Sequence, residues 1–220
     1  MKYKSVIFDL DGTLLNTIAD LGNAVNQALV RMGFPTWTME EYRWKVGNGV
    51  MKLFERSLPD DKRTPIYINK VKELFTPYYE THGRDETRPY DGIPELLSSL
   101  TAHGVRVAVA SNKYDAAVRK LIPHYFPEVG WSAVCGNREG VPVKPDPAIV
   151  NTIMEEGGMQ RADTLYVGDS NVDMQTAHNA GLAACGVTWG FRPRAELEAE
   201  HPEYVVDRPK DILEIVLGRE

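Results

Sequence analysis

Four stretches of this sequence join residue types that do chemistry to a spacing that could use them. The first is Asp9-Leu10-Asp11-Gly12-Thr13-Leu14, which closes the apolar run Val6-Ile7-Phe8. Side chains alternate along a strand, so carboxylates at i and i+2 project the same way, and Gly12 permits a tight turn after them. Two acids at the mouth of a buried strand are costly unless something pairs with them, and a divalent cation is the simplest partner. A strand that merely ends in a polar turn is the plainer reading. A calcium loop is a third, but Leu14 stands where that loop needs glycine and Asp20 where it needs glutamate.

The second stretch, Ser111-Asn112-Lys113, follows the apolar run 105–110. A hydroxyl and backbone N–H groups at the start of the next helix would form an anion site, or Ser111 or Asn112 would simply cap that helix. In the third, Val143-Lys144-Pro145-Asp146-Pro147, Asp146 is placed to cap a helix begun by Pro147. Lys144 is there either a point charge for a phosphoryl group or a solvated surface lysine. The fourth, Gly168-Asp169-Ser170-Asn171-Val172-Asp173, puts Asp169 at a strand's carboxyl end, as Asp9 is, and Asp173 one turn into the next helix. A hard cation such as Mg²⁺ takes a few carboxylate oxygens plus water, which these acids supply.

The elements that must position these groups follow from periodicity. After the strand at 6–8, apolar Ile18, Leu21, Val25, Leu29 and Met32 recur at helical spacing, with Thr17 as cap and Gly33 as stop. Helical character without strand signals continues through 38–81, which predicts a small all-helical unit inserted after the first strand. Phe54, Phe75, Tyr78 and Tyr79 read as its apolar core, while Arg43, Lys45 and Lys52 read as solvated. From Arg88-Pro89 the rhythm alternates: helices at 94–102, 114–122 (closed by Pro123), 147–156, 172–180, 195–200 and 209–217, with strands at 105–110, 131–135, 164–167, 182–187 and 204–206. Apolar strands alternating with helices predict an α/β fold, a doubly wound parallel sheet covered on both faces, with sites at the strands' carboxyl ends. The division expected is 1–15 with 88–220 as the α/β unit and 16–87 as the helical one.

Bulk properties exclude several classes. A chain of 220 residues with net charge −6 lacks the basic footprint of a nucleic-acid polymer binder, though a local cationic pocket would still take a small anion. No apolar run approaches the ~18 residues of a membrane span. Met1-Lys2-Tyr3-Lys4 leads straight into the first strand, which leaves no room for a signal peptide, so a cytoplasmic location is expected. Cys135 and Cys185 sit in apolar segments and read as reduced core residues. The histidines show no ligand-like spacing.

Taken in order, Asp9-Leu10-Asp11-Gly12-Thr13-Leu14, Ser111-Asn112-Lys113, Lys144-Pro145 and Gly168-Asp169-Ser170-Asn171-Val172-Asp173 resemble the four motifs of the haloacid dehalogenase superfamily, and the helical insert resembles its cap domain. More narrowly, the stretches 42–49 and Val187-Thr188-Trp189-Gly190-Phe191 resemble the phosphoglycolate phosphatase branch. The resemblance implies Asp9 as nucleophile through an aspartyl-phosphate and Asp11 as general acid, then base. It implies Mg²⁺ on Asp9, the Asp11 carbonyl and Asp169, with Asp173 beside it. Ser111, the Asn112 amide and Lys144 would hold the phosphoryl oxygens, and Gly47-Asn48-Gly49 would reach substrate from the cap. Read without the resemblance, Gly47-Asn48-Gly49 is a helix–helix turn; it is not a dinucleotide fingerprint, since Lys52 replaces the third glycine. Arg192 and Arg194 read as a solvated face. Dehalogenases of this superfamily lack the second acid, and mutase relatives carry a histidine where this chain has Leu21.

The expectation is therefore a Mg²⁺-dependent phosphatase, monomer or homodimer, for a small phosphorylated metabolite, 2-phosphoglycolate first. The rivals are a nucleotidase or pyrophosphatase with the same residues, and a non-catalytic metal- or phosphate-binding regulator.

Overall fold

The computed structural model describes residues 1–219. In chain order the elements are β1 (Ser5–Phe8), β2 (Leu15–Asn16), α1 (Ile18–Arg31), α2 (Met39–Lys45), α3 (Val50–Ser57), α4 (Pro65–His82), β3 (Arg88–Pro89), α5 (Ile93–Ala102), β4 (Arg106–Tyr114), α6 (Asp115–Tyr125), β5 (Ala133–Asn137), α7 (Ala148–Glu156), β6 (Thr164–Gly168), α8 (Asn171–Asn179), β7 (Ala183–Val187), α9 (Arg194–Glu198), β8 (Tyr204–Val206) and α10 (Pro209–Leu217).

Six strands form one parallel sheet in the order β5-β4-β1-β6-β7-β8. All four residues of β1 are buried because both faces are covered, which is why the strand reads as an unbroken apolar run. Val6 and Phe8 join the cluster under α5, α6 and α10, and Ile7 the cluster under α7 and α8. In β1 the pairings run from Ser5 to Phe8 against Arg106–Val109 of β4 and Thr164–Val167 of β6. The carboxyl ends of β1, β4 and β6 therefore lie side by side, where the strand order switches, and the motif residues follow those ends.

Helices α1 to α4 pack on a third cluster that includes Leu21, Val25, Leu29, Tyr42, Phe54 and Phe75. The chain crosses between this helical unit and the sheet at the antiparallel pair β2–β3, with Leu15 opposite Pro89 and Asn16 opposite Arg88. Asp20, on the first turn of α1, ties the second crossing down. Its carboxylate accepts from the Thr87 N–H (2.8 Å), the Thr87 hydroxyl (2.7 Å) and the Glu86 N–H (3.0 Å).

Several boundaries differ from the sequence expectation. Thr17 precedes α1 but makes no side-chain cap, and its hydroxyl is buried without a partner. Strand β4 runs on through Ser111-Asn112-Lys113 to Tyr114, since pairing with β5 resumes at Asn137 after a register irregularity. Helix α6 continues past Pro123, which sits inside it, to Tyr125. Strand β5 begins at Ala133 rather than at Trp131. Both cysteines are free and buried. Among the described residues no helix is long and apolar enough to cross a membrane.

Replacing Asp20 by alanine strands three donors in a buried site. We expect a loss of roughly 2–4 kcal/mol of unfolding free energy, checked by urea denaturation; a change below about 1 kcal/mol would show that the crossing needs no such tie.

Candidate active site

Asp9 leaves β1 into the space between the ends of β4 and β6, where its own N–H bonds the Val167 carbonyl at 2.9 Å. Asp9, Asp169 and Asp173 are all buried, and one carboxylate oxygen from each lies within 4.8 Å of the others. Lys144, only 2% exposed, stands among them. Its ammonium donates to Asp9 Oδ1 (2.8 Å), Asp173 Oδ1 (2.7 Å), the Ala110 carbonyl (3.0 Å) and the Tyr166 hydroxyl (3.0 Å). Burial alone would pull that ammonium down, but Asp173 and Asp9 hold it well above the ordinary lysine range. The solvated-lysine reading is therefore corrected: a coil segment brings Lys144 into the interior because two carboxylates are there to meet it.

The acids feel the same confinement. Burial pushes Asp9 well above its usual value, against the opposing pull of Lys144. Burial, then Asp173, push Asp169 up to about 7. Asp173 forms a reciprocal cap with Ser170, accepting from its hydroxyl at 2.6 Å and its N–H at 3.2 Å. Asp169 accepts from the Thr13 hydroxyl (3.1 Å) and the Phe191 N–H (2.7 Å). It is gripped between two glycines: a Cβ on Gly12 would come within 2.4 Å of Asp169 Oδ2, and one on Gly190 within 2.2 Å of Asp169 Cβ. Three buried carboxylates face one bonded ammonium, an excess of negative charge that a divalent cation would neutralise. The residues present fit such an ion.

The Asp11 carboxylate is not in that trio. It turns to Lys113, whose ammonium sits 3.0 Å from Oδ1 and 3.2 Å from Oδ2. Lys113 is buried, and Asp11, with Tyr79 of α4, outweighs that burial to hold its ammonium above the usual range. Sequence reading gave Lys113 no role, because a salt bridge across 102 positions has no local signature.

Ser111 and Asn112 lie on β4 and not at a helix start, so neither caps α6 and the helix-start anion argument does not apply to them. Ser111 is buried, its hydroxyl accepting from the Lys113 N–H at 3.2 Å. Asn112 is a bridge: Oδ1 accepts from the Lys144 N–H (2.8 Å), while Nδ2 donates to the carbonyls of Lys144 (3.1 Å) and Gly47 (3.1 Å). It thereby joins the Lys144 segment to the loop between α2 and α3.

That loop faces the acids. Gly47 (φ 110°) and Gly49 (φ 83°) line one cavity of about 80 Å³ together with Asp9, Asp11, Ser111 and Asn112. Gly49 starts α3 without any side-chain cap, leaving the first-turn N–H groups free for an anion. Asn48 turns away, its Oδ1 accepting from Arg56 at 2.8 Å. Arg192, expected on a solvated face, is buried and crosses to the same loop, donating to the Arg43 and Val46 carbonyls and pairing with Glu196 at 3.2 Å. Arg43 answers by donating to the Gly190 carbonyl at 2.7 Å. Arg194 is exposed, as expected, and paired with Glu198 and Asp207. Of the aromatics, Phe54 is core, whereas Phe75 and Tyr79 also border the cavity.

The chain is similar to known proteins along nearly its whole length. Residues 6–187 match the profile of the Haloacid dehalogenase-like hydrolase family. The chain is 32% identical over 218 residues to the phosphoglycolate phosphatase of Vibrio parahaemolyticus, covering 97% of this chain and 96% of that one. It is 31% identical to that of Mannheimia succiniciproducens, over 98% and 99% of the two chains. A crystal structure of a predicted phosphoglycolate phosphatase from Haemophilus somnus superposes with a TM-score of 0.90 at 29% identity, over 98% of both chains. CbbY of Rhodobacter sphaeroides in complex with xylulose-(1,5)bisphosphate shares the fold at TM-score 0.75 and 21% identity, over 94% of this chain and 95% of that one. The chain belongs to the haloacid dehalogenase-like hydrolases. Within them it falls in the phosphoglycolate-phosphatase-like branch and is a phosphoric monoester hydrolase.

Removing the ammonium while keeping its bulk tests the electrostatic frame. Lys144→Met is expected to cost about 3–5 kcal/mol in metal-free buffer, since it leaves Asp9 and Asp173 buried and unpaired. Urea unfolding measures this, and a loss under about 1 kcal/mol would contradict it.

Proposed function

We propose that this hydrolase is a Mg²⁺-dependent phosphatase that cleaves 2-phosphoglycolate through an aspartyl-phosphate on Asp9. The observation that carries the reading is the single small cavity shared by Asp9, Asp11 and the Gly47–Gly49 loop. It brings the reacting acids and the loop to one space, as a short metabolite that touches both would require. The reacting end presents a carboxylate nucleophile. The opposite requirement of 2-phosphoglycolate, a site for its own carboxylate, is met by the uncapped N-terminus of α3 behind Gly49.

In this mechanism an Asp9 carboxylate oxygen attacks phosphorus and the phosphorus–ester oxygen bond breaks. Asp11 gives its proton to the departing alkoxide, then takes one from the water that attacks the aspartyl-phosphate, releasing phosphate and restoring Asp9. Lys144, the Ser111 hydroxyl and the Asn112 N–H hold the phosphoryl oxygens while charge shifts among them. Lys113 aims the Asp11 carboxylate as the base that the second step needs. Mg²⁺, held by Asp9, Asp169 and the Asp11 carbonyl with Asp173 alongside, would supply the positive charge that lets two anions meet. Residues 16–87 act as the cap, with β2 and β3 as hinge strands, and closing them over the sheet keeps bulk water from the intermediate.

A phosphate-release screen with Mg²⁺ tests this against 2-phosphoglycolate, nucleoside monophosphates, pyrophosphate and sugar phosphates. We expect kcat/KM for 2-phosphoglycolate to exceed the others by at least ~10-fold and Asp9→Asn to lose ~10³-fold or more. Equal rates on all compounds would remove the substrate, and release that survives Asp9→Asn would remove the mechanism. Mg²⁺ should also raise the wild-type Tm, by binding the folded state alone, and leave the Tm of Asp169→Asn unmoved. The same rise in both proteins would take Asp169 out of the ion's site.

A further inference from the structure

A second and larger cavity, about 530 Å³, opens between α4 of the helical unit and α6 of the sheet unit. It adjoins the 80 Å³ site, and Phe75, Tyr79, Tyr114 and Ala117 line both. Its rim is charged in a way the chain as a whole is not. Lys72 and Arg84 stand on or just beyond α4 and Lys120 on α6, all exposed, and none makes an ion pair among the described residues; Lys72 lies over the Tyr114 ring at 6.0 Å. Of the two acids on the rim, Asp115 is already engaged by Arg119 (2.7 Å), by Arg138 of the same rim (3.5 Å) and by the Gly136 N–H (2.9 Å). Only Glu80 opposes the three free cations.

We infer that this cleft is the approach path of the anionic substrate and that Lys72, Arg84 and Lys120 draw the phosphomonoester along it. A protein of net charge −6 repels an anion at long range, so productive encounter needs a local field of the opposite sign. Cations around a cleft with low-dielectric walls focus such a field and raise encounter rates by ~10–10³-fold. The rim charges touch no reacting atom, so they act on capture and not on the chemical step. Lys113, which lines the smaller cavity, is spent on Asp11 and adds no free charge.

This inference rests on the phosphatase reading, and its test separates the two. Lys72→Glu/Lys120→Glu and the single Lys120→Glu are compared with wild type on 2-phosphoglycolate, at low ionic strength and at about 0.5 M salt, where screening is within a few ångströms. Lys210→Glu, an exposed position on α10 outside the cleft, makes the same charge change as Lys120→Glu. The double variant should lose ~5-fold or more in kcat/KM at low salt with kcat unchanged, the single variant less, and both should converge on wild type at high salt while Lys210→Glu tracks wild type. An active wild type with unaffected variants, or an equal loss in Lys210→Glu, would overturn the steering path and leave the phosphatase standing. A wild type that releases no phosphate from 2-phosphoglycolate would overturn both.

Discussion

Three buried carboxylates and one ammonium share a small space, and the ammonium of Lys144 is what makes that tolerable. Bonded to Asp9 and Asp173 at 2.8 and 2.7 Å, it offsets part of a desolvation cost that unpaired acids could not bear. The balance is left incomplete. Asp9 and Asp169 remain pushed toward protonation by burial, a cost that a divalent cation would relieve. Sheet order serves the same end. Putting β1 between β4 and β6 is the one arrangement here that lets residues 9, 111 and 169 approach each other from strand ends.

The helical unit is tied to this centre by a few polar contacts of high specificity. Asn112 binds both the Lys144 segment and the Gly47 carbonyl, so the acid cluster's lysine and the loop are registered by one amide group. The segment after β7 works in parallel. The Phe191 N–H holds Asp169 while its ring enters the helical core, and Arg43 and Arg192 exchange donations across the gap. A shift of the helical unit is thus felt directly at a carboxylate of the reacting centre.

Much of this was legible in the sequence, for physical reasons. Parallel strands buried on both faces must be apolar throughout, so β1, β6 and β7 announce themselves, and the polar residues that end them mark the site. Asp9, Asp11 and Asp169 stood out that way and Ser111 as the polar end of the run 105–110, whereas Lys144 stood out only by its Pro-flanked stretch. What escaped was decided by tertiary pairing. A lysine's burial depends on acids far away in the chain, and nothing around Lys113 or Arg192 reveals Asp11 or the Val46 carbonyl. Local rules also lost to context at Thr17, whose hydroxyl is buried without capping, and at Pro123, which α6 absorbs. The strand signal stopped at Ala110 because Ser111 to Lys113 are polar, although pairing resumes at Tyr114.

The grip of Gly12 and Gly190 on Asp169 bears on how such a catalyst can diversify. With hydrogen atoms as the only side chains on either flank, no substitution there adds a contact without displacing the carboxylate. The floor is therefore frozen, and a lineage exploring new substrates has no room to vary it by small steps. The loop of Gly47 and Gly49 and the α4 side of the α4–α6 cleft belong instead to a helical layer packed on an apolar cluster of its own. On the proposed reading, the parts that would do the chemistry and those that would choose the substrate are thus constrained unequally, one held constant while the other has room to drift.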